Sequence, residues 1–261
     1  MSRALFRRVT LDELDVDDEA AVRHVGLYWR LKERLARDRY LFRVPTAPRL
    51  DWNRATLLNL AFWTPGDGAD VLEGARIPAD VVAHVAWHHS AAAALGSDAA
   101  SADGLLLAES IASAFDLYLV GRLLGYAPKS SFLATQVPAM ADVAESAGLS
   151  ATRFEAMLRA IARDPEGAFS DLRALLFAAS SRLARVRTVD EAARALERFA
   201  DHRFAALLHH YNLSNWVLYT RAWAPPPPPR VAPAVAAIDR ALRRPRPLAW
   251  LERRWLDDEA R

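Results

Sequence analysis

Runs of Ala, Leu, Val and Ile, interrupted at helical spacing by Arg and Glu and punctuated by Gly, Pro and Ser, predict a chain made almost wholly of helices. Residues 10–39 are expected to be helical. Val22, Val25, Trp29, Leu31 and Leu35 give an apolar face, Asp17, Asp18 and Glu19 supply negative charge at its start, and Arg34, Arg37 and Arg39 supply positive charge near its end. Pro45, Pro48, Pro65 and Pro78 break the next segment, which leaves room for a short helix around residues 53–63 and a strand near Tyr40 to Val44. Pro78 then opens a helix that runs to Leu95 and stops at Gly96. Residues 97–103 read as a polar loop, and a long apolar helix follows from Gly104 to Leu124. Four more helices are expected over 131–147, 150–163, 165–185 and 189–223, with Ser150 as a cap and Thr188 with Glu191 as a capping box.

The five prolines from Pro225 to Pro229 form a stiff polyproline spacer. Beyond it, Val231–Arg244 and Leu248–Glu259 are short segments rich in Arg and Trp. The predicted fold class is all-α: a multi-helix bundle over residues 1–224, a proline-rich linker at 225–230 and a short helical, basic tail at 231–261.

Composition narrows the function classes. A chain of 261 residues is long enough for one large core or one domain with an appendage. The net charge of +2 does not suggest a nucleic-acid binder, and none is expected as partner. Cysteine is absent, which excludes disulfides, thiolate catalysis and cysteine-based zinc sites. The N-terminus lacks a signal-peptide core, and the longest apolar run, near Leu105 to Val120, contains Glu109 and Asp116, so the expectation is a cytoplasmic protein with no transmembrane segment. No phosphate-binding Gly-rich loop and no Gly-x-Ser-x-Gly elbow occurs. Arg243, Arg244, Arg246, Arg253 and Arg254 make the tail basic, which suits contact with an acidic protein partner, a membrane surface or the chain's own domain, or a solvated face balanced by Asp257, Asp258 and Glu259.

The chemistry concentrates in histidine. Six of the seven histidines fall in two short segments, and a lone glutamate sits in the apolar helix after the first. His84 and His88 are one helical turn apart and share a face, so both imidazoles can reach one ion. Glu109 lies among Leu105, Leu106, Leu107, Ile111 and Phe115, where a carboxylate is costly unless paired, hydrogen-bonded or bound to a cation. Ser113 and Asp116 continue a narrow polar stripe along that helix. Two readings stand at this point: a metal site at His84, His88 and Glu109, or a hydrogen-bonded core pair with Glu109 matched to an arginine. His89 points about 100° away, to a second layer or the surface.

In the second cluster, His202 and His209 are two turns apart and share a face of the expected helix, while His210 faces elsewhere. That spacing is too wide for both to bind one ion, but either could serve as a fourth ligand, a substrate contact or a general acid. A di-metal bundle would use Glu-x-x-His motifs, and none is present. A polar face without a ligand is the remaining option.

The pattern His84, His88 and Glu109, with the lead-in Val81-Val82-Ala83-His84 and the sequence Ala108-Glu109-Ser110, resembles the gluzincin group of zinc metallopeptidases over about residues 80–125. The resemblance implies one divalent metal, zinc first, held by those three residues, and a hydrolase acting on a small-molecule or peptide substrate. Asp116 would then orient a ligand imidazole or act as base, and His209 and His202 would contact substrate or metal. The departure is Val85, where the family carries the glutamate that activates water. Two alternatives accompany this reading: a helical di-metal oxidoreductase using iron or manganese, and a non-catalytic relative that serves binding or regulation.

Overall fold

The computed structural model describes residues 6–46 and 70–257; the short helix expected around 53–63 lies outside them. The fold is a multi-helix bundle with, among the described residues, two small two-stranded sheets. In chain order the strands are β1 (Phe6–Val9), β2 (Asp15–Asp17), β3 (Phe42–Pro45) and β4 (Arg76–Pro78). The helices are α1 (Glu19–Val22), α2 (Gly26–Arg37), α3 (Ala79–Leu95), α4 (Ala102–Leu124), α5 (Ser131–Ser146) and α6 (Ala151–Arg163). They continue with α7 (Pro165–Arg185), α8 (Val189–Glu197), α9 (Leu213–Trp223), α10 (Pro233–Leu242) and α11 (Pro247–Leu251).

Helix α4 is the axis of the core. It packs most extensively on α7 and then on α3, and α6 and α5 close further sides. Leu106, Leu107, Ile111, Phe115 and Leu119 are fully or almost fully buried, as a helix apolar all round requires. Each such side chain contributes about 1.5–3 kcal/mol relative to exposure. The helix has the length and hydropathy of a membrane span, but 83% of its most apolar window is buried inside the protein.

The termini of the helices follow local chemistry. Ser101 accepts from the Gly104 N–H, Ser130 from Leu133 and Ser150 from Arg153, each starting a helix. Thr188 and Glu191 form the expected capping box of α8. Gly96 ends α3 at φ 55°, in the left-handed region that glycine tolerates best.

Gly121 lies where α4 crosses the end of α6. A Cβ there would come within 2.7 Å of the Ile161 carbonyl oxygen and 3.1 Å of Pro165 Cβ. Alanine in place of glycine ordinarily stabilises a helix interior by about 0.5–1 kcal/mol. At Gly121 the sign is expected to reverse, with Gly121→Ala destabilising by about 1–3 kcal/mol in chemical denaturation, because two backbones must part. A stabilising substitution would show that this contact is looser than described.

Three expectations are corrected. Residues 10–39 are not one helix. Asp15–Asp17 pairs in parallel with Arg76–Pro78, Asp17 binds Arg76, and Asp18 stands at φ 58° before α1. Asp18 also accepts from the Ser131 N–H and hydroxyl, which ties the start of α5 to the N-terminal segment. Residues 97–103 hold a 3-10 turn at Gly96–Ala100, and α4 begins at Ala102 rather than Gly104. The span 189–223 is broken: α8 stops at Glu197, residues Ala205–Tyr211 wind as a 3-10 helix, and Asn212 at φ 49° starts α9. Phe204 and Leu207, both fully buried, pull the chain off a straight helical path there. The strand expected near Tyr40 to Val44 is β3, antiparallel to β1 with Val9 opposite Phe42.

The tail packs on the body. Val235, Leu242, Leu251, Trp255 and Leu256 belong to the same buried core as α4. Asp239 of α10 binds the fully buried Arg173 of α7, Asp257 binds Arg30 of α2, and the Trp255 carbonyl accepts from Arg34.

Candidate metal centre

Helices α3 and α4 run antiparallel through a tight connection, so His88 lies level with Glu109, and His84 one turn further from the connection lies between Glu109 and Asp116. The other faces of α3 hold the helix in place. Val82, Ala83, Ala86 and Trp87 are fully buried, and Trp87 packs edge-on against Phe115 of α4 and Trp255 of the tail. His89 points to α2, where its Nε2 lies 2.7 Å from an Asp38 carboxylate oxygen that also binds Arg34.

His84 Nε2 and His88 Nε2 are 3.3 Å apart, His88 Nε2 and Glu109 Oε1 3.6 Å, and His84 Nε2 and Glu109 Oε2 4.0 Å. A tetrahedral zinc with bonds of about 2.05 Å holds its ligand atoms about 3.3 Å apart. The three atoms therefore lie close to the separations an ion imposes, and small side-chain rotations close the rest. They form a three-residue group able to hold a divalent metal. Only Nε2 of His84 faces this point, because its Nδ1 lies 3.1 Å from Asp116 Oδ2. A carboxylate on the far nitrogen fixes the ring plane and keeps the Nδ1 proton in place, so Nε2 is the nitrogen that gives up its proton to bind an ion.

Buried groups of both charge signs meet at this point. Burial disfavours an imidazolium at His84, but Asp116 and Glu109 outweigh it and raise its pKa. Burial and the neighbouring His84 charge both lower the pKa of His88. Both directions favour an imidazolium at His84 over one at His88, with Nδ1–H toward Asp116 and the titrating proton on Nε2, which faces His88 and Glu109. Burial pushes the Glu109 carboxyl up, with His84 opposing. Asp80, one turn before His84 on α3, is pushed up to about 6 by burial and by Asp116. Asp70, which accepts from the Tyr40 hydroxyl at 2.9 Å, adds its negative field to both histidines.

A cavity of about 340 Å³ opens beside this group. Its polar wall is His84, Glu109, Ser113 and Asp116, faced by His210 and Tyr211. Leu117, Val120, Met140 and Trp216 form an apolar wall, and Gln136 of α5 completes it. His210 and Tyr211 are the residues that reading the sequence missed. The expectation for His202 and His209 rested on a continuous helix, and the break at 198–212 removes it. His202 Nδ1 accepts the Phe204 N–H and His209 is exposed, and neither lines the cavity. Burial lowers the pKa of His210, with Asp116 opposing, and burial pushes the Tyr211 phenol up. At neutral pH this leaves a proton acceptor and a proton donor facing the cavity. Val85 is buried in the core and does not line it.

The Asp116 contact has a measurable consequence. Asp116→Asn keeps the shape but removes the charge and offers His84 Nδ1 a donor as readily as an acceptor, and it is expected to weaken metal binding about 10–100-fold. Competition with a chromophoric chelator measures this; unchanged affinity would leave Asp116 no part in orienting His84.

Comparison with protein-family models, with curated proteins and with solved structures finds no match to this chain.

Proposed function

We propose that the chain binds one divalent metal through His84, His88 and Glu109 and uses it for hydrolysis of a small substrate held in the adjoining cavity. The observation that carries this reading is the set of three ligand atoms at 3.3, 3.6 and 4.0 Å, with the Asp116 carboxylate behind one of them. Three protein ligands leave a coordination position for chemistry, as catalytic zinc sites do, whereas structural sites close with four. Such an ion acts as a Lewis acid on a carbonyl and makes water more acidic. Zinc is the first choice for two imidazoles and a carboxylate, although the same donors suit mononuclear iron.

The base comes from elsewhere than position 85, where Val85 is enclosed by apolar core. His210 takes that role in this reading: it faces the cavity and its burial keeps the imidazole neutral. Tyr211 supplies a hydrogen bond to the developing oxyanion. The test is hydrolysis of a panel of small esters and amides by the zinc-loaded protein, with His210→Ala expected to lower kcat by about 10²–10⁴-fold while metal content stays constant. Metal-loaded protein inactive across the panel would favour the second reading, a binding protein, for which the buried Val85 speaks.

Metal uptake has a predictable pH dependence. The ion displaces the titrating proton of His84, so binding is expected to release at least one proton. The apparent Kd should rise at least tenfold per pH unit as pH falls from 8 to 6, read by titration at several pH values. A flat profile would mean that the histidines are not the ligands.

A further inference from the structure

The cavity beside the proposed metal centre has a charge pattern that restricts what can enter. Four carboxylates, Asp70, Asp80, Glu109 and Asp116, act on His84. One divalent ion balances two of them. None of the described residues lining the cavity is Lys or Arg. An anionic group reaching past the metal would lose its hydration and find no counter-charge in the described lining. The wall beyond the metal is instead apolar, built by Leu117, Val120, Met140 and Trp216. Gln136 adds one amide, which offers both a donor and an acceptor. At about 340 Å³ the space lies at the small end of ligand pockets.

We infer that the cavity selects a small, uncharged carbonyl compound carrying one apolar arm: its carbonyl at the metal, its arm against Val120, Met140 and Trp216, and a polar group at Gln136. Peptide chains and substrates with a carboxylate or phosphate beyond the reacting group are discriminated against. This rests on the metal reading above and adds the substrate class to it.

The test uses the full chain loaded with cobalt(II), whose visible absorption reports both metal binding and ligand entry. Three hydroxamates share one metal-binding head: 3-phenylpropanohydroxamate, its para-carboxylate, and a neutral five-residue peptide hydroxamate. The expected result is that the first shifts the spectrum at a concentration at least tenfold below either of the others. Gln136→Arg places a cation beside the arm and is expected to narrow the gap between the first two at least fivefold. No cobalt band before any probe is added overturns the metal reading itself. A band that none of the probes shifts, equal binding of the carboxylated or peptide probe, or an unchanged gap in Gln136→Arg overturns the substrate class alone.

Discussion

Asp239→Ala is expected to destabilise the protein by about 3–5 kcal/mol, the cost of leaving a buried charge without its partner. Arg173 projects from α7 with no exposed surface, and Asp239 of α10 is its acidic partner. Its Nε and Nη2 have no hydrogen-bond partner among the described residues, so nothing else there compensates the guanidinium. Burial already lowers its pKa, against the opposing pull of Asp239. The double variant Arg173→Met with Asp239→Leu removes both charges and keeps volume, and it is expected to recover most of the loss. Urea denaturation of the two variants decides the matter. Equal destabilisation by both would mean that packing of α10, and not the orphaned charge, is responsible. The pair also gives the tail its place: with Trp255 against Trp87, the C-terminal segment braces the back of the helix that carries His84 and His88.

His88→Ala should reduce zinc affinity at least 1000-fold, about 4 kcal/mol, with little change in the fold. Small structural zinc sites bind with roughly 10–16 kcal/mol from four ligands, so one imidazole in three carries a large share. His88 sits with its Nε2 toward both other ligands, and a quarter of its side chain is exposed, so truncation leaves no deep void. Helical circular dichroism should therefore be preserved while metal content falls. His202→Ala and His209→Ala, both away from the cavity, serve as controls and should retain metal. Loss of metal in those controls would contradict the ligand assignment.

The contrast between the two histidine segments shows what a sequence can carry. His84, His88 and Glu109 come together because Pro78, Gly96, Ser101 and Gly125 mark the ends of two consecutive helices, and the spacing of residues within a helix is rigid. Asp116 follows from the same regularity, seven residues after Glu109 on one face. His210 could not be placed this way. Its direction depends on the break between α8 and α9, which is set by burial of Phe204 and Leu207 and by the left-handed turn at Asn212. Those are tertiary choices, and an unbroken helical reading of 189–223 put forward His202 and His209, which do not line the cavity. The N-terminal segment failed for a similar reason. Asp17, Asp18 and Glu19 have the composition of a helix start, but Asp15–Asp17 pairs with Arg76–Pro78, far along the chain. Gln136 and Met140 line the cavity from α5, whose start is tied to Asp18, a contact with no local signal.

In the proposed site His84, His88 and Glu109 hold one metal ion. Calorimetric titration of the chelator-treated full chain with zinc, accompanied by elemental analysis for zinc, iron and manganese before treatment, tests it most directly. One ion per chain at submicromolar Kd, lost in His88→Ala and kept in His209→Ala, is the predicted result. A titration without saturable binding, or a stoichiometry unchanged in His88→Ala, would contradict it.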